Sequence, residues 1–127
     1  LYLPLGTRLV NFKYGESDLT ANVASFTDYG RTGYSILLEL APGEQKNVVM
    51  EYALNTPLSF KNGTATYRLD IIKQSGMMAD PFEWKLAYPI NMYIVNGSGE
   101  SEKSDQQLIF STDLSTDRAF QLQFEQR

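Results

Sequence analysis

The chain has 127 residues, 43% of them hydrophobic and 20% charged, with 11 basic against 15 acidic side chains and a formal net charge of −4. This is the length of one globular domain; it is too apolar for a disordered chain, and its scattered basic residues do not favour nucleic acid or an anionic membrane surface. Cysteine and histidine are both absent, which excludes disulfides, thiol nucleophiles and thiolate or imidazole metal sites and removes the commonest general base.

In chain order, Leu1, Leu3 and Leu5 alternate, with Pro4 on the other face. Proline cannot donate to a ladder, so this segment is expected at a sheet edge. The start lies inside a strand, which reads as a domain cut from a longer protein. Gly6-Thr7 turns the chain, and Arg8 to Tyr14 follows with Val10, Phe12 and Tyr14 on one face. Gly15 to Asp18 is turn-like. Leu19 to Phe26 reads as a strand of broken register, because Leu19, Ala21 and Val23 compete with Ala24 and Phe26 for the inside.

Asp28 to Gly33 carries two glycines and reads as a loop. Tyr34 to Leu40 and Asn47 to Leu54 alternate on either side of Pro42-Gly43, which fits the centre of a type II turn, so the two are expected to form a hairpin. Asn62-Gly63 is the strongest short hairpin signal, since both centres of a type I′ turn need φ > 0. Thr64 to Lys73 follows with Tyr67, Leu69 and Ile71 on one face, then a loop to Pro81.

Phe82, Trp84, Leu86 and Tyr88 form the cleanest period-two stripe, which places Trp84 in a core. Pro89 ends it, and Met92 to Val95 is a short strand. Asn96 to Asp105 is small, polar and charged, and is expected to be a mobile loop open to proteolysis. Gln107 to Thr112 and Ala119 to Glu125 close the chain, with Phe120, Leu122 and Phe124 inward. No segment keeps an apolar face at helical spacing, and no apolar run reaches the ~20 residues of a membrane helix. The expected fold is all-β: a single immunoglobulin-like antiparallel β-sandwich over residues 1–127, with about seven to nine strands and little or no helix.

The order of landmarks resembles the C-terminal β domain of a family of large bacterial surface proteins of unknown function. The landmarks are Leu3-Pro4 with Gly6 and Leu9, Pro42-Gly43-Glu44 with the strand to Tyr52, and Tyr67-Arg68-Leu69 running to Lys73-Gln74-Ser75-Gly76. Asp80-Pro81 and Asp113-Leu114 with Asp117-Arg118 complete the set. A proline usual after Lys-Gln in such domains is Ser75 here. The resemblance implies an extracellular, cell-surface setting behind a single N-terminal membrane helix, and it implies no activity.

Candidate sites are few. Asp113 and Asp117 lie four apart among hydroxyls, a pattern that suits calcium or an Asx turn with no metal. Lys73 is in phase with the inward stripe, and is either crosslinked to an asparagine or carried to solvent on its long stem. Trp84 and the tyrosines Tyr2, Tyr14, Tyr29 and Tyr34 are candidates for sugar stacking, of which Tyr29 and Tyr34, flanking the glycine loop, are the better placed. Met77 and Met78 are expected to tuck over the core, or else to offer an adaptable apolar contact. Asn62-Gly63-Thr64 and Asn96-Gly97-Ser98 match the glycosylation pattern but mean only turns in a bacterial chain. The expected function is a non-catalytic extracellular module with no cofactor, whose partner is another surface protein or a cell-wall glycan. The alternative is a carbohydrate-binding module built on exposed tyrosines.

Overall fold

The computed structural model describes residues 1–55, 57–76, 78–97, 101–104 and 106–126, apart from the Lys103 side chain. Among these residues the protein is all-β, with four three-stranded antiparallel sheets, and helix is confined to one 3-10 turn at Thr20–Asn22. Among the described residues there are twelve strands, where the pattern predicts seven to nine. Among those that the pattern does not show are Ser17–Asp18 and Glu102–Ser104, of two and three residues, too short for alternation to appear. The chain divides into two compact units, Leu1–Pro57 and Leu58–Arg127.

In the first unit, β1 (Tyr2–Pro4), β5 (Arg31–Ser35) and β4 (Ala24–Asp28) make one sheet, in the order β1-β5-β4. The other contains β3 (Ser17–Asp18), β2 (Arg8–Tyr14) and β6 (Val48–Ala53), in the order β3-β2-β6. Pro4 sits on an edge strand, as its missing N–H requires. Leu3, Phe12 and Tyr34 are buried, with Leu9, Met50 and Tyr52 half-buried.

Several expectations are corrected here. The segment Leu19 to Phe26 is a 3-10 turn followed by β4, not one strand. The 28–33 loop contracts to a two-residue turn, Tyr29-Gly30, with Asp28 paired to Arg31. Both turn residues have positive φ, 47° and 68°, as type I′ geometry requires. The register of β2 against β6 shifts between Leu9 and Asn11, so Val10 turns outward from the stripe it was expected to join.

The largest correction concerns the central hairpin. Pro42-Gly43 does turn the chain: Gly43 has φ 77° and the Glu44 N–H donates to the Ala41 carbonyl at 3.0 Å. It joins no ladder, however. Strand β5 ends at Ser35 and pairs with β1 and β4, while β6 pairs with β2. Leu37 and Leu40 stand exposed in the segment between β5 and β6. Alternation states which residues share a face; it does not state which strand lies alongside.

The second unit is the better packed. Its sheets are β7 (Thr64–Ile71), β12 (Arg118–Gln126) and β9 (Met92–Gly97), in the order β7-β12-β9, and β10 (Glu102–Ser104), β11 (Gln107–Asp113) and β8 (Pro81–Ala87), in the order β10-β11-β8. Asn62 and Gly63 take φ 53° and 82° and close a Lys61–Thr64 bridge, the turn that the dipeptide predicts. Phe120, Leu122 and Phe124 from β12 cluster with Trp84, Leu108 and Phe110 from the other sheet, and all six are buried. Trp84 stacks on Tyr67 at 5.8 Å and 12°, and lies 5.3 Å from both Phe110 and Phe120. The two sheets therefore face each other across this ring cluster.

The polar stretch 96–105 is not a loop throughout. Asn96 and Gly97 continue β9, paired with Gln123 and Leu122, and Glu102 to Ser104 form β10 against β11. Ladder hydrogen bonds at a sheet edge need no apolar side chain, so composition hid both pieces. A Cβ on Gly97 would come within 2.8 Å of the Leu122 side chain, and glycine there lets the strands close over it. Residues 98–100 and 105 lie outside the described residues, and with them the middle of the proposed mobile loop.

Candidate functional site

Asp113 ends β11 and Arg118 begins β12, so the Asp113–Asp117 cluster is the connection between the central strands of the two facing sheets. One Asp113 oxygen accepts from the Ser115 N–H at 2.9 Å, the Ser115 hydroxyl at 2.5 Å and the Arg118 guanidinium at 2.5 Å. The Arg118 guanidinium also donates to the Asp113 carbonyl at 2.6 Å. These donors, Ser115 first, hold the Asp113 carboxyl well below its ordinary range, at about 2. Asp117 accepts the Lys73 backbone N–H at 2.7 Å. Both carboxylates are thus engaged by protein donors: Asp113 in an Asx turn with Ser115 and by the Arg118 guanidinium, and Asp117 by the backbone beyond β7. Among the described residues no group of three or more His, Cys, Asp or Glu is arranged to hold a metal ion.

Other acidic side chains serve the same structural purpose. Asp18 accepts from the Thr20 hydroxyl at 2.6 Å and the Thr20 N–H at 2.9 Å, which lowers its pKa. The Thr20 hydroxyl in turn receives the Phe12 N–H at 2.8 Å, so the 3-10 turn is pinned to β2. Glu44 is lowered chiefly by Lys46, then by the Ala41 N–H, and the two side chains lie 3.0 Å apart. Asp70 is lowered by Arg68, two residues earlier on the exposed face of β7. Such solvated pairs contribute little to stability.

Lys73 lies beyond the end of β7, which stops at Ile71, and its side chain is half-buried. The tyrosine candidates separate. Tyr29 is 93% exposed at the tip of the β4–β5 turn. Tyr34 is not a surface platform: it is 8% exposed, its hydroxyl donates to the Thr7 carbonyl at 2.6 Å, and it accepts the Leu9 N–H at 3.0 Å. A buried phenol must find partners, and here it ties β5 to the start of β2. Met78 is exposed and Met77 lies outside the described residues.

Sequence reading missed two features of the first unit. One is an open cleft of ≈ 330 Å³ lined by Leu1, Phe12, Val23, Tyr34, Ile36 and Met50, with Ser35 as a polar member. The other is the partner of Tyr2: this tyrosine, already a candidate, forms an exposed aromatic pair with Phe26 on the outer face of β1-β5-β4. Only the pairing of Tyr2 and Phe26 with Gly33 brings them together, and no local pattern carries that pairing.

The fold and these contacts define an antiparallel all-β protein in which Asp18, Glu44, Asp113 and Arg118 fasten turns. No family model matches the chain, and no curated protein or solved structure matches it either.

Proposed function

We propose that the chain is a non-catalytic module of an extracellular bacterial surface protein, an immunoglobulin-like sandwich with a structural or protein-contact role. The observation that carries this reading is the engagement of Asp18, Glu44, Asp113 and Asp117 by backbone N–H groups and by Ser, Thr, Lys and Arg side chains. A general acid or base needs a carboxyl group shifted toward neutral pH, and the shifts of Asp18, Glu44, Asp70 and Asp113 all run the other way. The facing sheets of the second unit support the sandwich reading. The surface setting rests on the resemblance in landmark order. Tyr29 and Tyr34 do not form the paired platform of the carbohydrate alternative, because only Tyr29 is exposed.

The test is a set of thermal melts in calcium and in chelator across acidic pH. Asp113 is depressed in the folded state, so its contribution is fully present above the ordinary carboxylate pKa of about 4 and is lost as pH falls toward about 2. The expected melting temperature is the same in calcium and in chelator, and it falls over that acidic window. Asp113→Asn should flatten the fall. A melting temperature that drops on chelation would overturn the metal-free structural reading of this loop.

A further inference from the structure

In the sheet β1-β5-β4, Tyr2 pairs with Gly33 and Gly33 with Phe26, so these three form one row across the strands. The next row on the same face is Pro4, Arg31 and Asp28. Leu3, Thr32 and Tyr34 lie on the opposite face, where Leu3 and Tyr34 are buried. Tyr2 is 51% and Phe26 39% exposed. Gly33 has no side chain, and the Phe26 ring fills the space: a Cβ there would meet it at 2.3 Å. Phe26 is thereby laid across the central strand, and Tyr2 stands against it edge to face, with centroids 5.8 Å apart at 88°.

The row beside these rings supplies hydrogen-bonding groups of both kinds. Asp28 is half-buried, and the hydroxyl of Tyr2 reaches it only at 3.5 Å, a long contact that leaves acceptor capacity. Arg31 is exposed, on the strand next to it. Two aromatic rings beside one planar acceptor and one planar donor of opposite charge match a ligand with an apolar face and hydroxyls at its rim. Each hydroxyl both donates and accepts, so it can satisfy carboxylate and guanidinium alike. A proline-rich peptide also packs on aromatic rings, but it offers mainly carbonyl acceptors and would leave Asp28 without a donor. A charged polymer would be attracted by one of the two side chains and repelled by the other.

We propose that this outer face binds a neutral oligosaccharide of β-linked pyranose rings with equatorial hydroxyls, one ring packed into the corner that the perpendicular Tyr2 and Phe26 rings form and held at its rim by Asp28 and Arg31. Tyr29, exposed at the turn between Asp28 and Arg31, borders the same face. This adds a ligand to the structural role and uses none of the residues that support that role.

The experiment is a calorimetric titration of the full chain with cellohexaose and with chitohexaose, run beside a proline-rich decapeptide. Binding of at least one sugar is expected, little changed by raised salt because the ligand is neutral. Tyr2→Ala should weaken it about tenfold, the loss of one wall of that corner. Arg31→Ala should weaken it as well, with an unchanged melting temperature, because that side chain is on the surface. If Tyr2→Ala proves unstable, Arg31→Ala decides the matter. Absence of heat with both sugars, affinity that survives Arg31→Ala, or binding of the peptide instead would overturn the proposal. The acid and chelator melts would be unaffected by any of these results.

Discussion

Trp84→Ala is expected to lower the stability of the chain by about 3–5 kcal/mol, the usual cost of truncating a core aromatic. Trp84 is 7% exposed and makes ring contacts with Tyr67, Phe110 and Phe120, so its removal opens a hole at the junction of two sheets. Relaxation into that hole is resisted from both sides, because Phe110 and Phe120 belong to the central strands β11 and β12. Denaturant unfolding followed by circular dichroism measures the loss. An unchanged midpoint would place Trp84 outside the load of the core.

Tyr34→Ala should cost a similar ~3–5 kcal/mol, and here two effects can be separated. The ring is buried among the residues lining the first unit's cleft, and the hydroxyl bridges Leu9 and Thr7. Tyr34→Phe keeps the ring and strands a backbone N–H and a carbonyl, which costs about 1–3 kcal/mol if water cannot replace the phenol. The phenylalanine variant should therefore fall between wild type and alanine. If it matches wild type, the hydroxyl bridge carries no stability and the ring alone matters.

These two residues also show what the sequence makes legible. Trp84 lies in a long uninterrupted alternation with Phe82, Leu86 and Tyr88, and such a stripe on a strand identifies its buried face without any partner. Phe120, Leu122 and Phe124 are equally plain, as is the Asn62-Gly63 turn. Tyr34 sits where a glycine-bearing loop was expected to end, so its exposure could not be read locally. The actual turn is Tyr29-Gly30, and tyrosine is not among the residues that favour φ > 0, which is why the hairpin was not recognised.

Pairing was the larger gap. Two alternating segments around Pro42-Gly43 look like neighbours, yet β5 pairs with β1 and, through a two-residue turn, with β4, while β6 pairs with β2 at long sequence separation. The same gap concealed the Tyr2–Phe26 row, which exists only because Gly33 separates the two rings in register. At Asp113 the sequence left calcium and an Asx turn both open. In the folded chain Arg118 lies across the connection from Asp113 and donates to it, a contact that the spacing alone does not show.

The account holds that the second unit is organised about β11 and β12, each paired on both sides and buried on the face they share. Residue-resolved amide hydrogen exchange tests this most directly, since protection follows the depth of a strand in its sheet and core. The slowest amides should lie in β11 and β12, around Leu108, Phe110, Leu122 and Phe124, and those of Ile36 to Asn47 should exchange fast. Exchange in β11 and β12 as rapid as in the Ile36–Asn47 segment would contradict the account.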